Sequence, residues 1–170
     1  MSETIRLTSA LNDEERQRLF GWGEHIFGVD DHKYTWRPKE VHIILDVDGL
    51  PASHVGLIDH TVEVGGRPVR VAGVGGVATN NELHGRGYAR QAMSYATAFM
   101  RDEMKVEFGL LFCLDHLKPF YAQQGWQLVT APVWVLQPTG RILSPLNVMV
   151  LPFDGRAWPE GTTELHSLPW

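Results

Sequence analysis

Residues 77–93 read VATNNELHGRGYARQAM. A β-type run closes at Val77-Ala78-Thr79, a polar turn follows, and Gly85 and Gly87 stand where a helical pattern begins. Glycine inside a helix costs roughly 0.5–1 kcal/mol relative to alanine, so a pair at a helix entrance asks for a compensating role. Anion binding supplies one. The first-turn N–H groups have no partner within the helix, and the macrodipole adds about half a positive charge there. Glycine removes the Cβ atoms that would hold a phosphate off, while Arg86 and Arg90 offer charge to neutralise a diphosphate. The P-loop pattern G-x-x-x-x-G-K-[ST] is absent, and the third glycine of G-x-G-x-x-G is missing. Taken alone, Gly85 and Gly87 fit a plain turn better than a phosphate cradle.

Toward the C-terminus, residues 87–104 predict a helix with Ala89, Ala92, Met93, Ala96, Phe99 and Met100 on one face. FGLLFCL, residues 108–114, is a short apolar run suited to a strand covered on both faces. The crossover through the helix predicts that this strand lies parallel to the one ending at Thr79. LKPFYAQQG fits a short helix closed by Gly125. PVWVLQ and LNVMVLPF read as two further strands, and the tail beyond Phe153 as irregular.

Toward the N-terminus, RPVRVAGVGGVAT, residues 67–79, is a strand interrupted at Gly73, Gly75 and Gly76. Glycines inside a strand mark a bulge or a close backbone approach. Gly65-Gly66 turns it back, antiparallel, onto SHVGLIDHTVEV, which Asp48-Gly49 joins to VHIILDV. Thr4–Leu7 forms a first strand. A helix opens at Asn12, with Glu15 completing a capping box, and its stripe is Leu11, Leu19, Trp22 and Ile26. The pattern predicts an α/β (α+β) chain with a mixed, mostly antiparallel sheet of six to seven strands flanked by helices.

Composition bounds the function. A chain of 170 residues without repeats or biased tracts reads as one domain over 1–170. A net charge of −5 argues against a general nucleic-acid binder and suits a cationic or neutral substrate. The sequence shows neither an apolar signal region nor a membrane-length apolar run. The single Cys113 excludes an internal disulfide framework, and together these features predict a cytoplasmic protein. No metal is expected: a strand alternates the directions of Cys113, Asp115 and His116, and no second ligand pair has zinc spacing.

HGRGYA at 84–89, preceded by GVAT at 76–79 and followed by PFYAQQGW at 119–126, resembles the GNAT superfamily of acetyl-CoA-dependent N-acetyltransferases. That family's loop follows (R/Q)-x-x-G-x-(G/A), with His84 standing here in place of Arg or Gln. The resemblance implies a GNAT-like sheet splayed at a bulge near Gly75-Gly76, and acetyl-CoA as the acyl donor. The main chain of Val77, Ala78 and Thr79 would pair with the pantetheine arm. His84, Gly85, Arg86, Gly87, Tyr88, Ala89 and Arg90 would surround the diphosphate. Residues 75–89, 121–140 and 150–154, with Asp30, Trp36 and the final Trp170, are further similar to the aminoglycoside 2′-N-acetyltransferase branch. Three acids of that branch are replaced, by Thr35, Gly75 and Leu168.

Site roles follow from the resemblance and from the chemistry of acetyl transfer to an amine. Asp30, Trp36, Gly76, Asp154 and Trp170, the last through a carboxylate, would meet the acceptor. The Val77 N–H would hold the oxyanion, and Tyr121 would protonate the departing thiolate, a core aromatic being the alternative. Asp115 or His116, directly or through water, would be the base. The expected partner is a small-molecule amine, such as an amino sugar, with a homodimer left open and no nucleic acid or membrane. A longer-chain N-acyltransferase and a non-catalytic acyl-CoA-binding module are the competing readings.

Overall fold

The computed structural model describes residues 2–21 and 33–170. Trp22, Ile26 and Asp30, named above, lie outside the described residues. The N-terminal strand β1 (Glu3–Thr8) leads into helix α1 (Asp13–Phe20). At its start the Asn12 side chain accepts from the Glu15 N–H while Glu15 accepts from the Asn12 N–H. Both free amide ends are thereby satisfied, as the spacing predicts.

Strands β2 (Val41–Val47), β3 (Leu50–Val64) and β4 (Arg67–Thr79) form an antiparallel meander, and β1 pairs with the outer edge of β2. After a short 3₁₀ turn at Asn81–Leu83, helix α2 (Tyr88–Phe99) runs into a π-turn at Met100–Met104. Strand β5 (Phe108–Cys113) then joins β4 in parallel. A second 3₁₀ turn, Asp115–Leu117, precedes α3 (Lys118–Ala122). The remaining strands are β6 (Gln127–Leu128), β7 (Val133–Gln137), β8 (Gly140–Leu143), β9 (Asn147–Pro152) and β10 (Thr163–Glu164).

All ten belong to one sheet, ordered β6-β9-β5-β4-β3-β10-β7-β8, with β2 and β1 attached to the first half of β3. The seven strands read from sequence are present. The three additional ones are short, and two of them have only two residues, too few to show a period. β10 lies in the tail expected to be irregular, where it pairs with both β3 and β7.

Both faces of the sheet are covered. Ala92, Met93, Ala96 and Met100 of the α2 stripe pack with Val55, Leu57, Val74 and Leu111 on one face. Phe108, Leu110, Val133 and Trp170 pack on the other. Sinking one side chain such as Met93 or Leu110 stabilises the fold by about 1.5–3 kcal/mol. β5 feeds alternate residues to the two layers, which is why its sequence is continuously apolar.

One irregularity organises the site. Across the β3–β4 ladder, His54 faces Ala78 but Gly56 faces Gly75, so three steps on β4 match two on β3. The extra residue is a bulge, with Gly76 at a φ of 61°. On its other side β4 pairs with β5 only from Val71–Phe108 to Val74–Leu111. Beyond that point the two parallel strands run on unpaired by each other, and the sheet opens into a slot.

Candidate active site

The slot is the mouth of a cavity of about 900 Å³. Its walls are Val74 to Thr79 on one strand and Leu111 to Cys113 on the other. At one end it reaches the helix entrance. Gly85 and Gly87 have φ values of 80° and 78°, left-handed conformations that glycine adopts without strain. A Cβ added at either would meet nothing within 4 Å, so the loop presents open main chain to the cavity. His84, standing where the family's pattern has Arg or Gln, donates from Nε2 to the Thr79 carbonyl at 2.9 Å. The side chain thus ties the loop to the end of β4.

Of the residues expected around the diphosphate, His84, Gly85, Gly87, Tyr88, Ala89 and Arg90 line this end. Arg86 does not: it is exposed and outside the cavity wall. The Arg90 guanidinium is held by the Gln123 side chain at 2.8 Å.

In the middle of the cavity, Tyr121 is 6% exposed, packed edge-on against Phe120 and Trp126. Burial, and then the neighbouring Cys113, raise its pKa, so the phenol keeps its proton. Cys113 lines the same wall, and burial lifts its thiol to about 11. His116 also lines the cavity. Asp115, the alternative base, does not. Its Oδ1 accepts from the Asn147 amide at 2.6 Å and pairs with Lys118 at 3.5 Å, and these partners lower its pKa. An exposed carboxylate so held is a poor proton acceptor, and it is turned toward β9.

The far end, past the bulge, is built by Trp36, Lys39, Gly75, Gly76 and Trp170. The Trp170 indole donates to the Leu110 carbonyl at 3.0 Å and fills space that Gly73 leaves: a Cβ there would stand 2.4 Å from its ring. Asp154 is not part of this site. β9 runs antiparallel to β5, with Asn147 opposite Cys113 at the slot and Pro152 opposite Phe108 at the other end. Asp154 follows that other end, exposed and near Arg101.

Two groups stand here beyond the site residues expected from sequence. Lys39 sits in a segment with no period, and only the facing glycines Gly56 and Gly75 hint at what crosses them. His54 is 1% exposed beneath the bulge, its Nδ1 2.6 Å from the Gly76 carbonyl and its Nε2 2.8 Å from His42 Nδ1.

Comparison with known proteins agrees with this fold. Residues 7–129 match the family described as acetyltransferase (GNAT) domain. A GNAT family N-acetyltransferase from Escherichia coli, solved in complex with CoA, superposes with a TM-score of 0.59 at 16% identity, covering 96% of this chain and 89% of its own. An acyl-CoA N-acyltransferase from Pseudomonas aeruginosa gives 0.58 at 20% identity, over 88% and 99%. A GNAT family acetyltransferase from Brucella melitensis, in complex with acetyl-CoA, gives 0.54 at 16% identity, over 96% of each chain. At these identities the three share the fold.

Proposed function

The chain belongs to the acetyltransferase (GNAT) domain family and is an acyltransferase, and from that premise we propose that it moves an acetyl group from acetyl-CoA to the amine of a small molecule. The observation that carries the reading is the continuous cavity joining the glycine loop, the unpaired edge of β4 and Tyr121. Gly85, Gly87 and the first N–H groups of α2 receive the diphosphate, with Arg90 beside it. The free edge of β4 from Val77 to Thr79 offers its main chain to the pantetheine arm as an added strand would.

Acceptor and donor react in one ternary complex. The amine must be neutral to attack, and a lysine-like ammonium titrates near 10.4, so its proton has to be taken. His116 does this, directly or through water. The amine nitrogen then bonds to the acetyl carbon, and the Val77 N–H at the bulge holds the oxyanion. As the carbon–sulfur bond breaks, Tyr121 gives its proton to the thiolate. Acceptor contacts come from Trp36, Gly76 and Trp170. An amino sugar is the acceptor class that the similarity in residues 75–89 and 121–140 favours.

Titration calorimetry with acetyl-CoA and thiol release across a panel of amines test this. Binding and turnover are expected. A protein that binds acetyl-CoA and acetylates no amine is a carrier module, and one that prefers longer acyl donors is an N-acyltransferase of another kind. His116→Ala should remove the ascending limb of the pH–rate profile, and Asp115→Ala should leave it in place.

A further inference from the structure

Lys39 has an unusual setting. Its stem lies across the β3–β4 hairpin where the facing residues are both glycine, Gly56 and Gly75. A Cβ on Gly56 would stand 2.4 Å from Lys39 Cγ, and one on Gly75 would stand 2.4 Å from Cε and 3.3 Å from Nζ. Two glycines therefore make a groove that this lysine fills, and it carries the ammonium into the acceptor end of the cavity.

The charge arrives there with no Asp or Glu side chain paired to it among the described residues, and the main-chain carbon of Trp170 borders the same Gly75 position, 2.9 Å from where a Cβ would stand. Lys39 Nζ donates to the Arg37 carbonyl at 3.1 Å, which uses one of its three hydrogens. No ion pair joins it to any carboxylate of the described residues. Nor does any Asp or Glu side chain among those residues line the cavity. The neighbouring Trp36 indole N–H is buried and unpartnered as well. A secluded cation with free donors is costly unless an anion completes it. Burial brings Lys39 down to about 8.

We propose that Lys39 selects the acceptor: the amine acetylated here carries an anionic group on the same molecule, and the Lys39 ammonium binds it. The inference rests on the acetyl-transfer reading and narrows its substrate. An ammonium is a compact point charge without the fork of arginine, so carboxylate and phosphate are both accommodated. The same charge repels polycationic amines, for which the acid of the aminoglycoside branch is replaced by Gly75 and the space beside it taken by Lys39.

The test compares acceptors that differ only in that group: β-alanine against β-alaninamide, and glucosamine 6-phosphate against glucosamine, with neomycin as polycation. In the wild-type enzyme kcat/KM should favour the anionic member of at least one pair by about tenfold or more, the range of a charge-assisted hydrogen bond. Lys39→Met should abolish that preference while leaving acetyl-CoA affinity unchanged, and Lys39→Arg should restore most of it. Equal turnover within both pairs, or faster acetylation of neomycin, overturns the assignment whatever the variants do. Transfer without charge preference refutes Lys39 alone. Failure to bind acetyl-CoA or to acetylate any acceptor refutes the acetyl-transfer reading and this proposal together.

Discussion

His54 and His42 admit one proton arrangement beneath the bulge. A carbonyl only accepts, so His54 Nδ1–H donates to Gly76, and Nε2 is left to accept from His42 Nδ1–H. Protonating His54 would set two N–H groups against each other in a buried site, and burial lowers its pKa from 6.5 to about 4. The sign follows from linkage. The unfolded chain takes up the proton first, so the stabilisation is whole above pH 6.5 and is lost as pH falls from there to about 4. The loss amounts to roughly 3 kcal/mol, and urea unfolding at pH 7.5 and pH 4 should show it. His54→Asn should flatten that difference; an unchanged difference would place the acid sensitivity elsewhere. Tyr121 is the other decisive residue. Because it keeps its proton, Tyr121→Phe should lower kcat by about 10²-fold with acetyl-CoA affinity held, and equal kcat would remove it from the mechanism.

Within β4 the glycines divide by what they make room for. Gly73 and Gly75 leave space for the Trp170 ring and the Lys39 stem, whereas Gly76 takes a φ of 61° at the bulge. The loop glycines differ again, having open space around them and positive φ. Gly87→Ala therefore meets no clash and pays only for the left-handed backbone, about 1–2 kcal/mol. Gly73→Ala drives a methyl into the indole and the Ile58 side chain, and should cost more. Chemical denaturation of the two variants checks the order: a Gly87→Ala loss larger than that of Gly73→Ala would mean that the loop carries packing not visible in its contacts. These elements were unevenly legible in the sequence. The loop and the α2 stripe were readable because their signals are local. The meaning of Gly73 and Gly75 was not, because the side chains that fill them come from Trp170 and Lys39, far away in the chain. Asp154 was misplaced for the same reason: the pairing of β9 with β5, not the composition of VLPFD, decides which end of the strand faces the slot.

The slot divides the sheet. From Val74 and Leu111 onward β4 and β5 share no ladder, so the wall carrying the bulge and the wall carrying Cys113 and Tyr121 are joined there by packing. A ligand spanning the glycine loop and both walls adds contacts that the unfolded chain lacks, and it must stabilise the whole molecule. At about 100 times its Kd, acetyl-CoA contributes roughly 2.7 kcal/mol. For a chain of this size each kcal/mol moves Tm by about 2–4 °C, so a rise of roughly 5–11 °C is expected. Acetyl-pantetheine, which keeps the arm and thioester but has no diphosphate, should give a much smaller rise at the same concentration. Gly87→Ala should shrink the shift for acetyl-CoA and leave that for acetyl-pantetheine nearly unchanged. Equal shifts for the two ligands would mean that the slot, rather than the helix entrance, holds the donor.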